Sequence, residues 1–366
     1  MSAHGNAHGF GLYNDDGLTL PFTTSFAIRA LGLLAILTLS ACSKDTVVTT
    51  PTPVVDPPTI TCGTVDAQVS PLSVPIAVSY PAPTLKNGKE PVTTACTPAS
   101  GSNFPLGATT VTCTATDASQ RTSSCTLTVT VNPRQPLNAT RFIAFGDSTT
   151  WGEDGQNSLA LAPLVEQPVL LVGRDYPTVL RTSLQSRYPL QTDQISVLNF
   201  GNPGEFAGDA TTLTRFNQFV IGRGYQSVLI MEGANDVNFG ISDSRQLSLA
   251  LANLRTMVQR ARNSGVQPFL ATLPPMDPTR CTPRCRGVGA ALVAGFNDQL
   301  RNIATLEATP LVDVNAAFAG DLSLISADGL HPNALGYQRI ADTFRDAIVR
   351  VLERPALGAG GAVLLP

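Results

Sequence analysis

Arg141-Phe-Ile-Ala-Phe-Gly-Asp-Ser-Thr-Thr-Trp-Gly152 is the stretch from which the fold can be read. The apolar run Phe142 to Phe145 has the composition of a strand buried on both faces of a parallel sheet. It breaks at Gly146, and an acid and a hydroxyl follow, Asp147 and Ser148. Open α/β sheets present reactive groups at the carboxyl edge in this way. Taken alone the tripeptide is weak, because a serine there can simply cap the next helix.

Working outward, the segment from Thr140 alternates strand and helix. Strands are predicted at 141–146, 195–200, 226–231, 267–272 and 309–314, with helices near 176–187, 209–220, 244–264, 288–306 and 334–353. Between Arg245 and Asn263, Leu247, Leu249, Leu251, Leu254, Val258 and Ala261 recur close to a 3.6-residue period. The alternation predicts an α/β domain, 140–353, with one five-stranded parallel sheet and helices on both faces. Residues 354–366 are rich in Gly and Ala and read as a frayed tail.

Polar clusters fall where strands end or where such ends point: Gly146-Asp-Ser148, Asn199-Phe-Gly-Asn-Pro-Gly204, Gly233-Ala-Asn-Asp236 and Asp328-Gly-Leu-His-Pro332. A doubly wound sheet brings such ends to one crevice. A hydroxyl, a glycine N–H, an amide, an acid and an imidazole are what acyl transfer needs. The chain has three His, and His4 and His8 precede Cys42. If an imidazole activates Ser148 at neutral pH in a chain cleaved before Cys42, it is that of His331. The alternative is a surface histidine in a turn before Pro332.

The order and spelling of these clusters resemble the SGNH/GDSL hydrolases, a superfamily of serine esterases, lipases and carbohydrate deacetylases. The resemblance spans 141–350. It implies a flavodoxin-like three-layer fold with strand order 2-1-3-4-5. It also implies that Ser148 is the nucleophile, His331 the general base and Asp328 the residue that orients the imidazole. The implied oxyanion hole is the backbone N–H of Ser148, the backbone N–H of Gly204 and the amide of Asn235, with Gly201 and Gly208 as neighbouring alternatives to Gly204. Asp147 and Asp236 flank these positions and read as turn and cap residues. Trp151 reads equally as a pocket wall or as helix packing. No metal or organic cofactor is implied. Activity should fall as His331 protonates, below roughly pH 6–7 for an ordinary imidazole.

Residues 59–132 have a different character. Thr109-Thr-Val-Thr-Cys-Thr-Ala-Thr116 and Cys125-Thr-Leu-Thr-Val-Thr-Val131 alternate with period 2, and turn signals separate the runs. They predict a small β-sandwich. Cys96 to Gly107, then Val111 to Asp117, then Cys125 before a final strand, resemble the hyalin repeat (HYR), an immunoglobulin-like extracellular module. Four cysteines allow three pairings; the family implies Cys62 with Cys125 and Cys96 with Cys113. Such a module serves spacing or adhesion.

Residues 1–41 read as a leader. Ala30 to Ala41 is an apolar run after Arg29, too short to span a bilayer of ~30 Å. Leu39-Ser-Ala-Cys42 resembles the lipobox of bacterial lipoproteins, which implies lipidation of Cys42; a plain secretory signal cut near Ala41 is the alternative. The leader ahead of Arg29 is long and weakly basic, which leaves the translation start open. Residues 42–58, rich in Pro and Thr, read as an extended tether. Ser43 after Cys42 fits outer-membrane sorting.

Besides Cys42 the chain has Cys62, Cys96, Cys113, Cys125, Cys281 and Cys285, an even set that suits disulfides in an exported protein. No His lies near them, so zinc is not expected. Cys281 and Cys285 are the third candidate pair, bridging a rim loop among Arg280, Arg284 and Arg286. Those arginines read as a solvated cluster or as an attraction for anionic substrates. Net charge −3 and pI about 5.6 give no footprint for nucleic acid.

The reading is an exported, lipid-anchored serine esterase of the bacterial envelope. The sequence has no long apolar lid, which leans toward short-chain or carbohydrate O-acetyl esters. The alternatives are a lipase or lysophospholipase acting on lipid esters, and a surface adhesin without activity. Oligomeric state is not legible.

Overall fold

The computed structural model describes residues 54–153, 155, 170–239, 244–280 and 287–353. The leader, Cys42, the tether up to residue 53, Cys281, Cys285, Arg284, Arg286 and the tail from residue 354 lie outside the described residues. Among the described residues no helix is long and apolar enough to cross a membrane.

The period-2 segment forms β1 Thr59–Thr61, β2 Gln68–Ser70, β3 Ile76–Ala77, β4 Thr84–Lys86, β5 Thr93–Thr97, β6 Asn103–Phe104, β7 Gly107–Thr116 and β8 Thr122–Pro133. β2, β8, β7 and β5 make a four-stranded sheet in that order, while β1 pairs β4 and β3 pairs β6. Alternation decides which side chains go inward. Val111, Cys113 and Ala115 of β7 and Leu127, Val129 and Val131 of β8 are buried with Phe104 and Tyr80. The structure joins Cys62 to Cys125 and Cys96 to Cys113, the pairing that the hyalin-repeat resemblance implies. So small a core benefits from such bridges. The first closes 63 residues, for which loop entropy gives about 4 kcal/mol.

Strands β9 Arg141–Gly146, β10 Ser196–Gly201, β11 Ser227–Met231, β12 Gln267–Ala271 and β13 Leu311–Val312 form one sheet in the order β10-β9-β11-β12-β13. Each neighbouring pair is parallel. This is the expected 2-1-3-4-5 order. The last strand is shorter than its predicted span of 309–314, because Asp313 leaves the sheet to cap a helix.

The helices are α1 Ser148–Trp151, α2 Tyr176–Arg187, α3 Ala210–Phe219, α4 Ala234–Phe239, α5 Ser244–Asn263, α6 Gly287–Leu306, α7 Val314–Phe318 and α8 Ala334–Leu352. Right-handed crossovers put α2 on one face of the sheet and α3, α5 and α6 on the other, since the chain runs outward from β9 in opposite directions. α8 joins α2, where Tyr176 and Phe344 stack at 5.0 Å. Phe142, Ile143, Phe145, Val228, Leu229, Ile230 and Phe269 are fully buried between the layers. The short helices α1, α4 and α7 were not anticipated, because four to six residues are too few to display a helical period.

Candidate active site

Register sets the site. Gly146 pairs with Gly201 on one side and with Met231 on the other, so β9, β10 and β11 end level. The polar clusters that follow them therefore leave the sheet along one edge. Gly146 has no room for a side chain. An added Cβ would lie 2.0 Å from the Met231 carbonyl oxygen and 2.1 Å from Thr150 Oγ1. That close approach folds the chain back into α1 directly after the strand.

Asp147 caps α1. One carboxylate oxygen accepts from the Thr149 N–H (2.9 Å) and the other from the Ala234 N–H (3.0 Å). It thus ties the loop after β9 to the loop after β11. Burial pushes its pKa up to about 6, although the two N–H donors pull the other way. Asp236 is a second tie: it accepts from the N–H groups of Ala207 (2.7 Å) and Gly208 (2.9 Å) and from the Gln246 amide (2.9 Å). Asp147 has the cap role read from its position, whereas Asp236 acts as a tie to a loop 28 residues earlier in the chain.

Ser148 begins α1, where helix N–H groups have no partner inside the helix. Its Oγ lies 2.8 Å from His331 Nε2, and His331 Nδ1 lies 2.6 Å from Asp328 Oδ2. All three residues are buried. An ionised carboxylate can only accept, so the imidazole proton sits on Nδ1 and Nε2 offers its lone pair to the serine hydroxyl. The other oxygen of Asp328 accepts from the N–H groups of Leu330 and His331, both at 3.0 Å. Asp328 is thereby locked by its own turn. Burial would raise its pKa, but these bonds and the His331 charge hold it below the usual carboxylate value.

Asn235 is buried on α4, and its Nδ2 donates to the carbonyl of Glu205 at 2.8 Å. Gly204 precedes that residue with φ +79°. The loop after β10 is therefore fastened to the helix that carries Asn235. Of the neighbouring glycines, Gly201 pairs within the sheet and the Gly208 N–H is taken by Asp236. Trp151 is half-buried, and its carbonyl accepts from Asn199 Nδ2 (3.1 Å).

Two residues of the site were missed in the sequence. Arg215 lies over the Phe145 ring at 3.9 Å, pairs with Glu205, and donates to the carbonyls of Phe200 (2.8 Å) and Gly146 (3.2 Å). It fastens the ends of β9 and β10. Glu153, buried just after α1, sets its carboxylate 3.5 Å from His331 Nε2. Neither belongs to a motif. Burial lowers the pKa of His331, but the Asp328 hydrogen bond and the charges of Glu153, Asp328 and Asp147 outweigh it, so the imidazole is held above 6.5.

Gly155 packs against this assembly. A Cβ there would lie 2.5 Å from both oxygens and the carboxyl carbon of Asp328. Asp328 cannot yield without releasing His331. Gly155→Ala is therefore expected to lower kcat/KM at least about tenfold and to cost about 1–3 kcal/mol; assay and thermal denaturation of the same preparation check it.

Arg280 is engaged in structure. Its guanidinium pairs with Asp277 (3.1 Å) and donates to the carbonyl of Ile325 (2.9 Å), bracing the loop that carries Asp328. Within the described residues, the suggested arginine cluster is thus represented by a side chain bound to protein groups.

The sequence model of the GDSL-like lipase/acylhydrolase family matches residues 144–339, and that of the HYR domain matches residues 55–131. No curated protein matches the chain. Among solved structures, a lipase/acylhydrolase from Enterococcus faecalis is 22% identical, covering 59% of this chain and 100% of its own, with TM-score 0.45. An acetylxylan esterase from Geobacillus stearothermophilus is 21% identical over 59% of this chain and 96% of its own, with TM-score 0.44. An α/β hydrolase from the metagenome of Lake Arreo, Spain, is 25% identical over 58% and 95%, with TM-score 0.45. Since the family's model spans more than half of the sequence and takes in Ser148, Asn235 and His331, the chain belongs to the GDSL-like lipase/acylhydrolase family and is an ester hydrolase.

Proposed function

We propose that the chain is an exported serine esterase in which Ser148, His331 and Asp328 form the catalytic triad. The observation that carries this reading is the continuous hydrogen-bonded line from Asp328 through His331 to the Ser148 hydroxyl. Ser148 Oγ attacks the ester carbonyl while its proton passes to His331 Nε2. The carbonyl electron pair moves to oxygen, which is met by the N–H groups of Ser148 and Gly204 and the amide of Asn235. Collapse expels the alcohol, which takes the proton from Nε2, and leaves an acyl-serine. Water, deprotonated by His331, repeats the sequence and releases the acid.

The substrate class proposed is short-chain or carbohydrate O-acetyl esters. A buried carboxylate at the imidazole favours small polar esters over long apolar acyl chains. The test is hydrolysis of p-nitrophenyl acetate, butyrate and octanoate by the purified chain, with fluorophosphonate labelling located by peptide mass. Acetate turnover with the label on Ser148 supports the reading. Preference for octanoate moves the substrate to lipid esters, and neither turnover nor label overturns the reading.

A pH profile provides a further check. A general base must be neutral, and a raised imidazole pKa means protonation sets in at higher pH. The acid limb of kcat/KM is therefore expected to have its midpoint above 6.5, higher than an ordinary histidine would give. Activity constant down to pH 4 would exclude His331 as the base.

Export and lipidation of Cys42 rest on the leader and the lipobox spelling. Metabolic labelling with an alkyne-tagged fatty acid should mark the wild type and spare Cys42→Ala. Equal labelling of both would leave the plain secretory signal as the reading.

A further inference from the structure

We propose that Glu153 is a positioning residue of the hydrolysis: its carboxylate faces Nε2 of His331 and stabilises the imidazolium that forms when Ser148 gives up its proton. The inference rests on the triad reading above and adds a fourth group to it.

The geometry is specific. Nε2 lies 2.8 Å from Ser148 Oγ and 3.5 Å from Glu153 Oε2. While the imidazole is neutral, that nitrogen presents a lone pair, and a carboxylate beside it gains nothing. When Oγ bonds to the carbonyl carbon and its proton moves to Nε2, the ring becomes a cation between two carboxylates, Asp328 at Nδ1 and Glu153 at Nε2. The interaction is stronger in the transition state than in the ground state, which is the condition for raising kcat. Glu153 takes no proton. The proton stays on Nε2 until the leaving alkoxide receives it.

The backbone sets where this side chain emerges. The backbone of Glu153 is already held: its N–H donates to the Ser148 carbonyl (3.0 Å), its carbonyl accepts from Tyr337 Oη (3.0 Å), and it bridges to Leu170. Burying a carboxylate carries a desolvation cost that an opposing charge offsets, and the imidazolium supplies one. Among the described residues, the charged groups acting on the ring are Asp328 from its own loop and Glu153 and Asp147 from either end of α1. Asp236, after β11, acts on Asp147 in turn, and Asp147 acts on Glu232. Among the charged groups of the described residues, Glu153 is the one that faces the nitrogen carrying the travelling proton.

The sequence allows a direct test, because His331 is the only histidine besides His4 and His8. In the full chain carrying His4→Gln and His8→Gln, one imidazole remains and its proton NMR titration is unambiguous. Glu153→Gln is expected to lower the midpoint of that titration by about 1–2 pH units, the usual effect of removing an adjacent opposite charge. The acid limb of the kcat/KM profile should move by the same amount. On p-nitrophenyl acetate at the optimum, kcat should fall about tenfold, one decade per 1.36 kcal/mol of lost transition-state stabilisation, with KM unchanged. Glu153→Asp keeps the charge and should give a midpoint between the two. It also provides the measurement if the glutamine variant fails to fold.

A midpoint unmoved by either substitution overturns the proposal. So does a shifted midpoint with unchanged kcat. The outcomes separate the two readings. An active parent whose midpoint does not respond refutes the role of Glu153 alone, whereas a parent that hydrolyses no ester refutes the triad reading, whatever its titration shows.

Discussion

Ser148→Ala is expected to lower kcat/KM on p-nitrophenyl acetate by at least about 10³-fold, in the range seen when a serine nucleophile is removed from a triad. The size follows from what the alanine cannot do. Without Oγ there is no acyl-enzyme, and what remains is substrate held against the N–H groups of Ser148 and Gly204 and the Asn235 amide, waiting for adventitious water. Those donors survive, because two are backbone groups and Asn235 is held by the Glu205 carbonyl. The fold should survive as well. The hydroxyl removed makes its hydrogen bond to His331, worth about 1 kcal/mol net. Melting temperature and rate are read on one preparation. Loss of rate with the transition retained assigns the chemistry to Ser148, and a rate equal to that of the parent would remove it from the mechanism.

Asp328→Asn should cost about 10⁴-fold in kcat with little loss of stability. The amide oxygen can still accept from the N–H groups of Leu330 and His331 at the position of the present Oδ1. Its NH₂ then faces His331 Nδ1, where a carboxylate oxygen now lies at 2.6 Å. Two donors cannot face each other, so the imidazole proton moves to Nε2 and points at Ser148 Oγ. A nitrogen that already holds a proton cannot take another from the serine. The tautomer is wrong, although every heavy atom can stay in place. The check is kcat against pH together with the His331 NMR signal. A variant that keeps more than about a tenth of parental kcat, well above this 10⁴-fold loss, would show that Asp328 does not set the tautomer.

The two variants also show which parts of the site could be read in advance. Ser148, Asp328, His331, Asn235 and Gly204 each stand in a short spelled cluster at or after a strand end, and a parallel sheet gathers such ends. Asp147 could be read as a cap because acids beside turns accept local backbone N–H groups, but the ties that it and Asp236 make to distant loops could not. Arg215 and Glu153 could not. Arg215 reaches the Gly146 carbonyl across 69 residues from the middle of a helix, and nothing in its neighbours marks it. Glu153 follows α1, a helix too short to show a period, so the face on which its side chain emerges was not legible. For Arg280 the sequence left open a solvated cluster or an attraction for anionic substrates, and its pairing with Asp277 and the Ile325 carbonyl could not be read from neighbouring charges.

The sequence by itself determined the two architectures and the identity of the groups brought to one sheet edge, while the order of the parallel strands was implied by the family resemblance that the motif spelling carries. Each depends on information that is local or periodic: alternation at two residues, recurrence at 3.6, glycine where a strand must stop, and motif spelling. Only the tertiary structure decided the geometry that makes those groups act together. Ser148 and His331 are 183 residues apart in the chain and 2.8 Å apart in space. The field at the imidazole is likewise a sum over carboxylates from separate segments, each weighted by distance and by the water that burial removes. Residue identity specifies neither quantity, and packing fixes both.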